Sequence, residues 1–328
     1  EKSRFLIQLE YFKRPNHKLS FKHLNFKLEG QNKNTKKAIK TPAVMNQLEE
    51  LGIRGFSPSS LTQYIRDPYL FYEQQLLKIK PDDKVEIDIS AAEKGTIIHE
   101  VLELLYKPYL EQVLSEEDYK EILKMLPEKV NLSFRKQYQK GSLFTGKNYL
   151  IYEVTILILR KFIEGERDFV KKGNEIIIKG LEKKFYKAVF VTELNQEIFL
   201  KGTIDRIDTL NGTTRILDYK TGNISSADLS FESWEDLISM PKKGALFQVM
   251  LYAYALKNEL EDDKVYSGVI PLKNFDNQFI AAHQKQDRSK EPLSIDKDAL
   301  NNFEYVLFKL LKSIFNAKIS FDKKDNKS

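Results

Sequence analysis

Residues 202–220 decide the fold of this chain and read GTIDRIDTLNGTTRILDYK. Two short runs rich in β-forming residues flank the dipeptide Asn211-Gly212. An Asn-Gly dipeptide between two such runs is the strongest short-range signal for a β-hairpin. A two-residue type I′ turn at this dipeptide places Asp205 directly opposite Asp218.

The two aspartates create an electrostatic conflict in the predicted hairpin. Directly opposed like charges destabilise paired strands unless a positive charge lies between them. A divalent cation held by both carboxylates would resolve the conflict. The same register places Lys220 opposite Thr203 as the next pair on this face, because side chains alternate with period two. The sequence therefore predicts a metal-dependent active site at Asp205 and Asp218.

The composition excludes several classes of protein. The chain has 328 residues, of which 41% are hydrophobic and 30% charged, as is ordinary for a globular protein. It has no cysteine, which excludes disulfides, thiolate zinc sites and an iron–sulfur cluster. It also has no apolar run long enough to cross a membrane and no signal peptide, so we expect a cytoplasmic protein without a membrane partner. The net charge of +6 is too small to separate a nucleic-acid partner from an ordinary solvated surface.

The pattern along the chain predicts a division between residues 1–50 and 51–328. The first part has two apolar runs and then a lysine-rich polar stretch at 30–41, so we expect the tail of a preceding domain followed by a linker. A start at Glu1 also suggests a segment of a longer protein. The rest predicts an α/β fold with a mixed central β-sheet flanked by helices, together with an added helical region. The predicted strands are 176–182, 185–192, 197–208, 215–219, 265–272 and 279–282, and the main predicted helices are 61–77 with a break at Pro68, 94–107, several within 110–170, 246–260 and 300–314.

The order of strand, aspartate, hairpin and Asp-x-Lys resembles the PD-(D/E)xK nuclease superfamily, with Asp218-Tyr219-Lys220 as the second element. Asp-x-Lys alone is a weak signal, and three further motifs strengthen it. Residues 95–103, GTIIHEVLE, resemble the Gly-x-x-x-His helix of RecB-type nuclease domains. The other two motifs are Gln248-x-x-x-Tyr252, which matches the helix after the Asp-x-Lys strand, and residues 57–72, SPSSLTQYIRDPYLFY, which resemble the segment that opens AddB-type nuclease domains.

The resemblance covers about residues 55–275 and implies a restriction-endonuclease-like core with a role for each matching residue. It implies that Asp205 and Asp218 bind the metal, together with His99 and the main-chain carbonyl of Tyr219. Lys220 would be the catalytic lysine. Gln248 and Tyr252 would position the DNA backbone or the attacking water. The implied metal is magnesium (Mg²⁺), and a histidine ligand also tolerates manganese (Mn²⁺). Asp67 stands where many members have a cysteine that binds an iron–sulfur cluster, which agrees with the expected absence of that cluster.

Several of these residues also have an ordinary structural interpretation. A lone histidine on a helix, such as His99, is usually a packing or surface residue, and Tyr252 could simply be half-buried. Glu182 matches an acidic position on an earlier strand of some members, but it could equally be a surface residue of an edge strand. Glu103 could support His99 or be solvated. Asp208 lies opposite Arg215 on the other hairpin face, and we expect a cross-strand ion pair there.

The sequence leads us to expect a Mg²⁺-dependent deoxyribonuclease, with exonuclease favoured over endonuclease. It would be the nuclease part of a helicase–nuclease subunit that processes double-strand breaks for recombinational repair. Its partners would be DNA, as single-stranded ends, and a helicase subunit or a helicase-like region of the same protein. The alternatives are a catalytically silent DNA-binding or scaffolding domain and a stand-alone or mobile-element nuclease. No phosphate-binding loop of the P-loop type is present, so ATP hydrolysis is not expected here.

Overall fold

The computed structural model describes residues 8, 11–12, 36–79, 88–138, 145–259, 264–273, 279–285 and 291–324. The chain divides into two compact units, residues 1–35 and residues 36–328. Most of the apolar run at 5–12 and all of the strand expected within 19–28 lie outside the described residues.

Apart from the short β1, a run of helices precedes the main strands, and further helices and strands follow in the last third of the chain. The helices are α1 (Pro42–Arg54), α2 (Pro58–Arg66), α3 (Pro68–Phe71), α4 (Ala91–Tyr106), α5 (Glu116–Gln137), α6 (Gly146–Lys171), α7 (Asp236–Ser239), α8 (Gly244–Ala255) and α9 (Lys297–Phe315). The strands are β1 (Lys37–Ala38), β2 (Ile176–Val191), β3 (Gln196–Leu210), β4 (Thr213–Lys220), β5 (Ser230–Phe231), β6 (Val265–Pro271), β7 (Ile280–Ala281), β8 (His283–Gln284) and β9 (Phe321–Asp322).

Within the described residues, the central sheet has five strands in the order β2-β3-β4-β6-β7. The pairs β2–β3, β3–β4 and β6–β7 are antiparallel, whereas β4 and β6 are parallel. Helices pack on both faces, so the predicted mixed sheet flanked by helices is confirmed. Neighbouring β4 residues Ile216 and Leu217 enter different hydrophobic cores because strand side chains alternate between faces.

The two cores have different origins along the chain. The core around Ile216 contains residues of α1, α2, α8 and α9, including Phe247 and Phe303. The core around Leu217 contains residues of α4, α5 and α6, including Tyr119 and Phe162. This second set of helices is the added helical region that the sequence predicts, and it covers the opposite face of the sheet.

The hairpin forms with the predicted turn. Asn211 and Gly212 have φ values of 50° and 78°, as a type I′ turn requires at both central residues. The register runs as predicted from Leu210 opposite Thr213 to Arg206 opposite Leu217.

Main-chain pairing between β3 and β4 ends at the pair of Arg206 with Leu217, so it does not include Asp205. The carboxylate of Asp205 instead accepts a hydrogen bond from the main-chain N–H of Tyr219 at 2.7 Å. The β3–β4 pairing therefore includes neither the predicted pair of Asp205 with Asp218 nor that of Thr203 with Lys220, and both predictions are wrong as main-chain pairs. Beyond Arg206 and Leu217 the two strands separate, while Thr203 stays paired with β2 and Lys220 with β6 through their other edges.

The prediction of two separate strands at 176–182 and 185–192 is wrong, because these residues form the single strand β2. It pairs with β3 along its length, with a register shift between Ile178 and Gly180. Glu182 has a φ of 44°, so the strand is distorted but not interrupted at the predicted break. Lys183, Lys184 and Lys187 can remain in a strand because β2 is at the edge of the sheet, where their side chains have access to solvent.

The two helix starts in the opening motif follow their capping residues. Ser57 accepts from the Ser60 N–H at 3.1 Å, and the Ser60 hydroxyl accepts from the Ser57 N–H at 2.9 Å. Pro68 ends α2 and begins α3, as predicted, because proline lacks the N–H that would continue α2 but fits the first turn of a helix. Asp67 caps α3 by accepting from the Leu70 N–H at 3.1 Å.

Part of the predicted linker at 30–41 is built into the larger unit. Strand β1 pairs with β9, and the Lys40 side chain is only 5% exposed. Lys40 Nζ donates to the carbonyls of Ser313, Ile314 and Asn316 at 3.0, 2.6 and 3.1 Å, and burial lowers its pKa to about 8. The boundary expected between residues 50 and 51 falls inside α1, which buries Val44, Leu48 and Leu51. The described helices include none that is both long and apolar enough to span a bilayer.

Candidate metal centre and active site

His99 reaches the sheet from α4. The helix begins with a capping box in which Ser90 N–H donates to Glu93 Oε2 at 2.8 Å and Glu93 N–H donates to Ser90 Oγ at 3.2 Å. Further along the helix, His99 Nδ1 lies 3.3 Å from Asp205 Oδ1 and 3.7 Å from Glu182 Oε1. Its Nε2 lies 3.2 Å from the main-chain carbonyl oxygen of Tyr219.

His99, Glu182 and Asp205 form a candidate metal centre. Each offers one ligand atom, and these atoms all lie within 4.8 Å of one another. Two carboxylates and an imidazole fit Mg²⁺ or Mn²⁺, since carboxylate oxygens suit both ions and the imidazole suits manganese better. Glu182, which the sequence left open, is brought into this group because the β2–β3 register places it beside Asp205.

The electrostatics of the metal centre favour a positive charge. Burial alone would favour neutral imidazole, but hydrogen bonds to Asp205 and Glu182 raise the pKa of His99 to about 10. Asp205 and Asp218 add further attraction across the site. The imidazolium therefore balances the carboxylates that were expected to repel one another, and a divalent cation would replace its proton.

We expect the stability that His99 contributes to depend on pH in the metal-free protein. The pKa of His99 is about 10 in the folded chain, whereas its ordinary value is 6.5. Below pH 6.5 both the folded and the unfolded state bind the proton, and the stabilisation by His99 is complete. Between pH 6.5 and about 10 this stabilisation decreases by up to about 1.4 kcal/mol per pH unit.

Urea unfolding in EDTA at several pH values measures this contribution as the difference between the wild type and His99→Asn. The difference should shrink as the pH rises through this window. A difference that stays constant from pH 6.5 to 10 would contradict the assignment of the proton to His99.

A second group, which we call the lysine network, consists of Asp218 and Lys220 on β4 and Gln248 and Tyr252 on α8. Lys220 Nζ lies 2.7 Å from Asp218 Oδ2 and donates to Gln248 Oε1 at 2.7 Å. The Gln248 amide nitrogen lies 2.7 Å from Asp218 Oδ1 and 2.6 Å from the Tyr252 hydroxyl. The i, i+4 spacing of Gln248 and Tyr252 places both on one face of α8.

Burial and the neighbouring Asp205 raise the pKa of Asp218 to about 6, although Lys220 acts in the opposite direction. Burial also raises the pKa of Tyr252, so its hydroxyl is protonated at neutral pH. Asp218 is 2% exposed, and both of its oxygens face members of the lysine network. It is not one of the three residues of the candidate metal centre in the described part of the chain, and its role as a metal ligand stays a prediction.

Tyr219 connects the two groups through its main chain. Its N–H holds Asp205 and its carbonyl faces His99, while its side chain lies on the other face of β4. The predicted ligand, the carbonyl oxygen, is therefore at the metal centre, although its role in binding metal stays a prediction.

The site can be compared with those of known proteins. The family model for the PD-(D/E)XK nuclease superfamily matches residues 55–326, which is most of the chain. The chain belongs to this superfamily. The matched range includes Asp205 on β3 and Asp218-Tyr219-Lys220 on β4, and that these residues are the superfamily's motif stays a prediction.

The relatives of this PD-(D/E)XK chain include several that are described as a subunit of an ATP-dependent helicase/deoxyribonuclease. The chain is 29% identical to the one from Clostridioides difficile (strain 630) over 258 residues, which are 70% of this chain and 20% of the relative. It is 26% identical to the one from Alkaliphilus metalliredigens (strain QYMF) over 223 residues, which are 63% of this chain and 18% of the relative. It is 26% identical to the one from Streptococcus suis (strain 05ZYH33) over 213 residues, which are 63% of this chain and 17% of the relative. The chain thus spans about a fifth of the length of these relatives.

A buried ion network lies beneath the PD-(D/E)XK site. Arg206, the residue after Asp205, is fully buried and binds Glu166 Oε1 at 2.9 Å, Asp208 Oδ2 at 2.7 Å and the Tyr219 hydroxyl at 3.3 Å. The network joins α6 to the two strands that bear the site. The network was not predicted from the sequence. The position of Arg206 in a strand, next to Ile207, was a signal that this charge could be buried.

The remaining candidates have simpler environments. Arg215 binds Asp208 through two hydrogen bonds of 2.8 Å, so the predicted cross-strand ion pair is confirmed. Glu103 lies 3.5 Å from Lys107 in an ion pair at the end of α4.

Beside His99 a cleft of about 440 Å³ opens to solvent. Its lining residues are Gly95, Thr96, His99, Glu100, Glu103, Lys136, Gln137 and Glu182.

Proposed function

We propose that this chain is a metal-dependent nuclease that hydrolyses phosphodiester bonds in DNA. The observation that carries the proposal is the candidate metal centre of His99, Glu182 and Asp205 beside an ammonium group held by Asp218. Hydrolysis needs a nucleophilic water and neutralisation of charge on the phosphate. These two groups offer the residue types for both requirements within one site.

A divalent cation, when bound, supplies a water of lowered pKa and positive charge against the phosphate. His99, Glu182 and Asp205 would hold it, and we propose Asp218 and the Tyr219 carbonyl as further ligands. Magnesium is the proposed ion and manganese a substitute, since the donors are mostly oxygens with one imidazole.

Lys220 is the residue best placed to bind the attacking water or a phosphate oxygen. An ammonium has three N–H donors, and one of them donates to Gln248, while Asp218 Oδ2 lies 2.7 Å away as the ion-pair partner. The Lys220 side chain is 27% exposed, so a remaining donor can reach a substrate. Gln248 in turn holds Asp218 and Tyr252, and we propose that it fixes the direction in which the ammonium points.

The relatives extend the proposal to a biological setting. They are described as subunits with helicase and deoxyribonuclease in their name. We propose that this chain is the nuclease part of such a subunit, that it acts as an exonuclease on single-stranded ends at double-strand breaks, and that its partner is a helicase subunit or a helicase-like region. The absence of cysteine means that it would do so without an iron–sulfur cluster.

Metal-dependent cleavage of single-stranded DNA tests the proposed function. An oligonucleotide labelled at the 5′ end, and a second labelled at the 3′ end, are incubated with the protein in Mg²⁺, Mn²⁺, Ca²⁺ or EDTA. We expect cleavage in Mg²⁺ and Mn²⁺ and none in EDTA, with mononucleotides released first from one end. Intact DNA in both metals, with DNA binding retained, would favour the catalytically silent scaffold instead.

A further inference from the structure

The outer part of strands β2 and β3 presents a face of mostly aromatic and basic side chains to solvent, with the exposed Glu197 opposite Phe190 as an acidic residue on the same face. Tyr186 and Phe190 on β2 are 58% and 55% exposed. Lys184 is exposed on the same side because it is two residues before Tyr186. The register places Lys201 opposite Tyr186, with Phe199 two residues away on β3. We call the three aromatic residues and the two lysines the outer ribbon face.

The aromatic rings of this face are held in a fixed orientation. The Tyr186 and Phe199 rings are stacked, with centroids 4.7 Å apart and planes inclined by 17°. The Tyr186 hydroxyl donates to the Ile53 carbonyl at the end of α1, at 2.5 Å. A ring fixed at both its face and its hydroxyl provides an ordered stacking surface without loss of side-chain entropy on binding.

Lys184 on β2 and Lys201 on β3, the two lysines of the outer ribbon face, differ in their partners from the other lysines of β2. Lys179 pairs with Glu111 at 2.8 Å and Lys183 pairs with Glu259 at 2.5 Å, while Lys187 donates to main-chain carbonyls of α8. Within the described residues, Lys184 and Lys201 have no carboxylate within ion-pair distance. Their charges are therefore available to an anionic ligand.

The outer ribbon face begins close to the candidate metal centre. Lys184 is two residues from Glu182 along β2, and two residues of strand span about 7 Å. From Lys184 the face continues to Phe190, over a further six residues or about 20 Å. A flexible chain lying along it would reach the metal centre at one end.

We propose that the outer ribbon face is a track for single-stranded nucleic acid, with bases stacked on Tyr186, Phe199 and Phe190 and phosphates bound by Lys184 and Lys201. Exposed rings suit bases whose faces are free, which a duplex does not offer, and lysines beside them suit phosphates. The proposal rests on the proposed function in taking DNA as the substrate. It adds the surface that selects single strands and delivers them to the metal centre.

Fluorescence anisotropy with a labelled oligothymidylate in EDTA tests the track without cleavage. We expect Phe190→Ala and Tyr186→Ala each to weaken binding by about fivefold or more, as loss of one stacking partner does. Lys184→Ala should lower the slope of log affinity against log salt by about 0.7. Tyr305→Ala, an equally exposed aromatic residue on α9, and Lys318→Ala are matched controls that should bind as the wild type does.

Tyr186→Phe separates stacking from folding, because it keeps the ring and removes only the hydrogen bond to Ile53; it should bind more tightly than Tyr186→Ala. Unchanged affinity in both Phe190→Ala and Lys184→Ala would overturn the track. The track would also be overturned if the wild type does not bind oligothymidylate in EDTA. It would be overturned as well if the substitutions leave DNA affinity unchanged but dissociate a dimer of this chain.

The outcomes distinguish the track from the proposed function. If the wild type fails to cleave DNA in Mg²⁺ and Mn²⁺ but the three substitutions weaken binding in EDTA, the track stands and the nuclease activity is rejected. If the wild type cleaves DNA and the substitutions leave both affinity and salt dependence unchanged, the nuclease stands and the track is rejected.

Discussion

Replacing Lys220 with methionine, or Asp218 with asparagine, is expected to lower the rate of DNA cleavage by at least about a hundredfold. Lys220 provides the ammonium of the lysine network, and its Nζ lies 2.7 Å from Asp218 Oδ2. Methionine keeps the length of the side chain but removes the charge and all three donors. Initial rates of single-stranded DNA cleavage at saturating Mg²⁺ give the effect directly.

A matched lysine shows whether the loss is specific to the site. Lys257 also pairs with a carboxylate, Glu304, at 3.0 Å, and it is about as exposed as Lys220. Lys257→Met should retain the activity of the wild type. Thermal unfolding of all variants should show folded proteins, and full activity in Lys220→Met would contradict the proposed mechanism.

Replacing Glu166 with alanine is expected to lower the free energy of unfolding by about 3–5 kcal/mol, because it removes one of the two carboxylates that balance the buried Arg206 charge and leaves that charge only partly compensated by Asp208. Arg206 is fully buried and binds Glu166 Oε1 at 2.9 Å. The Tyr106 hydroxyl also loses its acceptor, which it binds at 2.5 Å. Urea unfolding monitored by circular dichroism measures the change.

The same helix offers a control for this prediction. Glu164 is half-buried and pairs with the exposed Lys161 at 3.9 Å, and Glu164→Ala should cost less than about 1 kcal/mol. The double variant Glu166→Leu with Arg206→Met should recover part of the stability, since it removes both buried charges together. Equal stability of Glu166→Ala and Glu164→Ala would show that the buried network contributes little.

The elements that could be predicted from sequence are those governed by local chemistry. The hairpin follows from Asn211-Gly212, whose positive φ values set the turn and hence the register. The break at Pro68 follows from the missing N–H of proline. These features depend on a few adjacent residues, so one sequence is sufficient to predict them.

The features that the sequence could not supply depend on contacts between distant residues. Glu182 joins the metal centre only through the pairing of β2 with β3 and its own φ of 44°. Arg206 and Glu166 meet from a strand and a helix that are 40 residues apart. The separation of the strands at Asp205 was also unforeseen, because it depends on the carboxylate that replaces main-chain pairing with Tyr219.

The pairing of β1 with β9 determines how the larger unit responds to a pulling force. Lys37 and Asp322 are direct partners, so a force applied between them acts across two adjacent strands and not through the central sheet. We expect the hydrogen bonds from Lys40 to the carbonyls at the end of α9 to resist the force after that pair separates. We therefore expect these contacts to bear such a load before the strands that carry Asp205 and Asp218 do.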